Sequence, residues 1–139
     1  EVAQVIEYKK QMITAAGMLE RFLFDRNMHY TTIDRLSGGE RRRLYLCRVL
    51  MQAPNILFLD EPTNDLDITT LDILEDYLDD FSGAIITVSH DRYFLDRVCD
   101  KVFVHQDDLT FKPYVGGYSD YVLKSKEEKE VHIKEKKGI

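Results

Sequence analysis

Ile56-Leu57-Phe58-Leu59-Asp60-Glu61-Pro62 decides the fold class of this 139-residue chain. The apolar run Ile56 to Leu59 is too short for a helix and does not alternate with polar residues. It reads as a strand of a parallel sheet, covered by helices on both faces. The run ends abruptly in two carboxylates and a proline. In open α/β sheets, ligands gather beyond the carboxyl ends of the strands. Adjacent carboxylates there are costly to desolvate and call for a cation, a water or a partner. Neighbours in a strand point in opposite directions, so Asp60 and Glu61 divide the work: one can hold a metal while the other faces a water.

Downstream, Leu71, Leu74, Leu78 and Phe81 recur with helical spacing and predict a helix from about Thr69 to Phe81, stopped by Ser82-Gly83. Ala84 to Val88 is a second buried strand, rich in β-branched residues. A crossover of this length between two buried strands makes a parallel, right-handed βαβ unit. The second strand also ends in polar chemistry, at Ser89-His90-Asp91. Asp91 can cap the helix carrying Tyr93, Phe94, Leu95 and Val98. Lys101–His105 and Leu109–Val115 read as a hairpin around Gln106-Asp107-Asp108. Gly116-Gly117 is a turn, and Ser119 starts a final helix. From Lys124 to Ile139 that helix carries six lysines and four glutamates, as a solvated helix or frayed tail does.

Upstream, Leu36-Ser37-Gly38-Gly39-Glu40 has the S-x-x-E spacing of a capping box, followed by good helix formers from Arg41 to Gln52. Two glycines in the first turn cost entropy if their only purpose is to start a helix. They also remove every side chain that would keep a ligand from the backbone. Bare amides at the positive end of a helix make an anion site, for which phosphate is the usual occupant. Alone, the motif reads equally well as a capped helix after a glycine turn. Before it, Glu1–Lys10 reads as a short uncapped helix, and Ile13-Thr14 opens a second one with Thr14 as N-cap. Met18, Leu19, Phe22 and Leu23 form its apolar face, used for packing. Asp25–Arg35 is polar and irregular. Of Arg41, Arg42 and Arg43, at least two belong to a solvated face, because consecutive helical residues do not share one.

Composition sets the bounds. Apolar residues at 44% and charged residues at 32% are ordinary for a soluble globular domain. No apolar run is long enough to span a bilayer, and a net charge of −6 argues against general nucleic-acid affinity of the whole chain. Cys47 and Cys99 stand alone, as buried reduced thiols of a cytoplasmic protein do. The segment Asp60–Asp80 carries nine acids and no base, so part of it serves a cation and part forms an exposed helix face.

Taken together these residues resemble the ATP-binding cassette (ABC) family. Leu36 to Glu40 is similar to its signature motif and Ile56 to Glu61 to its Walker B strand. Asn64-Asp65-Leu66-Asp67 is similar to its D-loop and Ser89-His90-Asp91 to its H-loop. Asp60–Asp67, Ser89–Asp96 and Val115–Tyr121 further resemble the ABC-F proteins, twin-cassette ATPases that act on the ribosome. Ile13–Phe24 resembles the second cassette of the Uup-type branch, whose members often carry an insertion between the equivalents of Lys10 and Gln11. The resemblance implies part of a P-loop NTPase domain of α/β class. Residues 1–52 would be the helical signature subdomain and 53–118 the later, parallel βαβ part of the ATPase core with its hairpin. Residues 119–139 would form a charged helical tail or linker.

The resemblance also implies roles. Asp60 would hold Mg²⁺ through water, Glu61 would polarise the attacking water, and His90 would hydrogen-bond the γ-phosphate of ATP. Ser37, Gly38 and Gly39 would contact the γ-phosphate of ATP held by an opposite cassette, and Asp67 would sit at that interface or cap the following helix. The implied partners are a second cassette and the ribosome with its RNA, with no direct membrane contact. A transporter ATPase subunit shares the four motifs, and the head of an SMC-type chromosome protein shares two. One element of the family is missing: none of the seven glycines is followed by lysine, so there is no G-x-x-x-x-G-K-[ST] loop. The chain therefore reads as the C-terminal half of a cassette, inactive by itself. Exposed sheet faces should make it self-associate.

Overall fold

A computed structural model describes residues 5–8 and 11–138, with side chains from Met12 to Gly138. The chain begins with an antiparallel pair, β1 (Val5–Tyr8) and β2 (Gln11–Thr14), in register Val5 to Thr14 and Tyr8 to Gln11. This corrects the helix expected over Glu1–Lys10, since the described part of that segment is strand. The insertion point next to Lys10 lies outside the described residues. Ile13 and Thr14 end β2 rather than opening a helix, but Thr14 is the cap expected: its Oγ1 accepts from the Gly17 amide at 3.1 Å. Helix α1 (Ala15–Arg21) follows. Its Met18 and the capping Phe22 are buried. Leu23 is not part of that face. It lies past the helix end with φ 67°, half exposed, and Phe24 enters the core instead.

Two 3-10 turns, Arg26–Tyr30 and Ile33–Arg35, fill the polar stretch. Asp25 caps the first, and His29 Nε2 lies 2.9 Å from the Phe24 carbonyl, a structural contact for that histidine. Helix α2 (Gly38–Met51) buries Cys47, Leu50 and Met51. Burial pushes the Cys47 thiol up to about 11, so it stays protonated and acts as a small apolar side chain.

β3 (Ile56–Asp60) and β4 (Ala84–Val88) are parallel, in register Ile56 to Ala84 and Asp60 to Val88, joined through α3 (Pro62–Asp65) and α4 (Ile68–Asp79). Gly83 is required just before β4: a Cβ there would collide with the Asn55 carbonyl, which accepts the Ala84 amide at 2.9 Å. Leu74 and Leu78 of α4 are buried, as their spacing predicts, and each such side chain contributes roughly 1.5–3 kcal/mol of apolar burial. The strands are not covered on both faces. Leu57 is buried, but Ile56, Phe58, Ile86 and Val88 on the other face are more than half exposed. An unbroken apolar run marks a strand fit to be covered twice, and within the described residues only one face has its cover.

The chain divides into two compact units, the first ending at Val88 and the second starting at Ser89. The second holds α5 (Arg92–Val98), the antiparallel pair β5 (Lys101–His105) and β6 (Phe111–Val115), and α6 (Tyr118–Lys136). Helix α6 begins one residue before Ser119, at a joint between two distant stretches. Asp96 accepts from the Ser119 amide at 2.7 Å and from the Ser119 hydroxyl at 2.6 Å, while Asp120 accepts from the Gly117 amide at 2.9 Å. Gly117 sits against Asp96 where a Cβ would not fit, and Gly116 has φ 104°. The first turns of α6 then pack on β6: Tyr121 stacks edge-on with Tyr114 at 5.0 Å, and Lys124 Nζ reaches the Val115 carbonyl at 2.7 Å. Beyond Ser125 the helix is exposed, and Glu128 still reaches β6, accepting from Lys112 Nζ at 2.7 Å and from the Tyr114 hydroxyl at 3.0 Å.

Candidate functional site

At the start of α2 the capping box is complete. Glu40 Oε2 accepts the Ser37 amide at 2.8 Å, and Ser37 Oγ accepts the Glu40 amide at 3.2 Å. The amides of Gly38 and Gly39 belong to the first turn, where the helix itself has no acceptor to offer. A Cβ on either glycine would meet nothing within 4 Å. No internal packing demands glycine here; what the two residues provide is open backbone. The Ser37 hydroxyl, occupied as an acceptor, still has its proton to donate. The turn can receive an anion from outside on two amides and one hydroxyl, at the positive end of a fourteen-residue helix.

At the end of β3, Asp60 is the last ladder residue, paired with Val88, and is exposed. Glu61 leaves the strand. Its backbone is left-handed (φ 45°, ψ 53°), and its amide donates to the Val88 carbonyl at 2.7 Å. The two carboxylates are therefore separated by this turn rather than by strand alternation, which corrects the sequence reading of how they differ. A glutamate in that region costs on the order of 1 kcal/mol, a strain typical of functional sites. Pro62, with φ already fixed, then starts α3.

Asp67 is the N-cap of α4: its Oδ1 accepts the Thr70 amide at 2.7 Å. Hydrogen bonding from Thr70, and then the charge of Arg43, hold its carboxyl below the usual carboxylate range. Arg43 itself was not singled out by the sequence. Arg41 and Arg42 are exposed, as expected of two of the three, but Arg43 turns inward. The available signal was period: Arg43, Cys47 and Leu50 fall at i, i+4 and i+7. His90 belongs to the second unit and directly precedes Asp91, whose Oδ1 caps α5 through the Tyr93 and Phe94 amides at 2.9 and 3.0 Å.

Ser37, Gly38, Gly39, Asp60, Glu61 and Asp67 thus lie in one unit, each at a helix start or strand end. Among the described residues no three His, Cys, Asp or Glu side chains converge as a metal cage. A single carboxylate at a strand end does fit Mg²⁺, which keeps most of its waters and takes other ligands from substrate phosphates. Among the described residues no helix is long and apolar enough to cross a membrane.

The fold is that of part of an ABC-type ATPase cassette, a P-loop NTPase. A dimeric ATP-binding cassette in a post-hydrolysis state, bound to ADP and Pi, is similar with a TM-score of 0.51 at 21% identity, over 70% of this chain and 44% of that one. The protein cbiO1 from Clostridium perfringens, part of the ABC transporter complex cbiONQ, is similar with a TM-score of 0.52 at 25% identity, over 86% of this chain and 48% of that one. The family described as ABC transporter matches residues 2–64. In sequence, the chain is similar to proteins named YfmR, Uup and EttA. It is 59% identical over 130 residues to the uncharacterized ABC transporter ATP-binding protein YfmR of Bacillus subtilis, covering 93% of this chain and 21% of YfmR. It is 44% identical over 104 residues to the ATP-binding protein Uup of Escherichia coli, covering 75% and 16%. It is 41% identical over 109 residues to the energy-dependent translational throttle protein EttA of Haemophilus influenzae, covering 78% and 20%. The chain spans about a fifth of the length of these relatives.

Proposed function

We propose that this chain is the later half of one cassette of an ABC-F type ATPase, which hydrolyses ATP between two cassettes and acts on the ribosome. The observation that carries the reading is the open backbone at Gly38-Gly39: glycines that no internal contact requires, at the start of a capped helix, in a chain whose β3 ends at Asp60 with Glu61 in the turn that follows. Ser37, Gly38 and Gly39 hold the terminal phosphate of ATP bound mainly by the facing cassette. Glu61 orients and polarises the attacking water, and His90 donates to the γ-phosphate. Asp60 would hold magnesium through water, and the ion would supply charge neutralisation at the phosphates when bound. Asp67 meets the facing cassette while capping α4. Residues 1–52 serve as signature subdomain, 53–118 as the later core and 119–139 as tail or linker. The protein works in the cytoplasm without touching the membrane. The word "translational" in the name of EttA supports the ribosome as partner.

The ATPase subunit of a membrane transporter is the second reading, favoured by the family description and by the complex that contains cbiO1. Both are tested in a complete cassette protein that carries this chain with a phosphate-loop half. Magnesium-dependent phosphate release should fall on the order of 10²-fold or more in Glu61→Gln. The same variant should co-sediment with ribosomes in an ATP-dependent way. This chain alone should release no phosphate. Parental turnover in Glu61→Gln contradicts the hydrolytic reading, and absence of ATP-dependent ribosome binding favours the transporter.

A further inference from the structure

Arg43 links α2 to Asp67, the N-cap of α4. Its side chain is only 16% exposed and is held from several sides. Nε donates to the Phe22 carbonyl at the end of α1, at 3.1 Å. The guanidinium carbon lies 5.3 Å from the centre of the Phe24 ring. Nη1 stands 3.9 Å from Asp67 Oδ2. Asp67 divides its two oxygens correspondingly: Oδ1 takes the Thr70 amide and starts α4, and Oδ2 faces Arg43. A partly exposed ion pair adds little to stability, and drying a guanidinium costs hydration. What the arrangement supplies is orientation. Only a planar fork can bond a carbonyl with one arm, lie over a ring and present another arm to a carboxylate; lysine has a single point of charge.

We propose that Arg43 is a positioning residue that fixes Asp67 relative to the Ser37-Gly38-Gly39 turn. Phosphate contact at the start of α2 and the contact of Asp67 across the cassette interface are thereby set together. The inference rests on the cassette reading given above. Arg43 touches no substrate; it acts through the geometry of Asp67 and stands four and five residues beyond Gly39 and Gly38 on the same helix.

The test uses the complete cassette protein with Arg43→Lys, Asp67→Ser and the double variant. Serine retains an N-cap for α4 but removes the oxygen that faces Arg43. Each single change should lower kcat on the order of tenfold to a hundredfold while KM for ATP stays within about twofold. The urea midpoint of Asp67→Ser should stay near the parental value. Arg43→Lys in the Asp67→Ser background should cause no further loss, because the two act as one unit. Parental kcat in Arg43→Lys overturns the proposal, as do losses that multiply in the double variant. If Arg43→Lys does not fold, Asp67→Ser still decides, with parental kcat counting against. Glu61→Gln separates the two levels: if it leaves turnover intact the cassette reading fails, and if it alone abolishes turnover only the Arg43 inference fails.

Discussion

At the scale of single residues, the proposed phosphate contact and stability pull in opposite directions at Gly38-Gly39. The positions are helical and open, so Gly39→Ala should stabilise this chain by up to about 1 kcal/mol through backbone entropy. The same methyl should obstruct phosphate and lower turnover in the complete cassette. Urea unfolding followed by circular dichroism, set beside phosphate release, checks both signs; a stabilised variant with parental turnover contradicts the phosphate reading. The capping box was legible because Ser37 and Glu40 spell it at fixed spacing, and both bonds form. The left-handed backbone of Glu61 was not legible, since the neighbouring Pro62 disfavours the right-handed helical region for it without choosing the left-handed one. Arg43 was missed because adjacent arginines look alike until the helical period assigns one of them to the core.

At the scale of elements, the sequence revealed what local chemistry specifies. The period of Leu71, Leu74 and Leu78 and the cap at Asp91 both appear in the structure. Strand pairing between β1 and β2 was lost, because short mixed-polarity strands owe their state to a partner rather than to propensity. The joint of Asp96 with Ser119 was equally silent, since it links residues far apart in sequence. It carries a pH dependence. Hydrogen bonds from Ser119 hold the Asp96 carboxyl below the usual range. A folded pKa below the unfolded value of about 3.9 contributes stability that is present above that pH and lost as pH falls through the folded pKa. Acid unfolding of this chain should therefore be less steep below about pH 4 in Asp96→Asn than in the parent. Superimposable pH profiles would remove the joint from the account of α6.

At the scale of the whole molecule, the apolar character of β3 and β4 exceeds what the described residues cover. Phe58 is 72% exposed beside Ile56, Ile86 and Val88. Such a face should drive self-association, and Phe58→Lys should reduce the mass seen by light scattering at high concentration. A parent that stays monomeric at the same concentration contradicts this. The account depends most on the relation between the α2 turn and a nucleotide. The direct measurement is the distance from the Gly38 and Gly39 amide nitrogens to the nearest triphosphate oxygen, in a structure of the complete Glu61→Gln cassette protein with ATP and magnesium. The account predicts hydrogen-bond distances of about 3 Å to the γ-phosphate, with Asp60 and Glu61 of the facing cassette beside the same triphosphate. Amides that lie far from any triphosphate would contradict it.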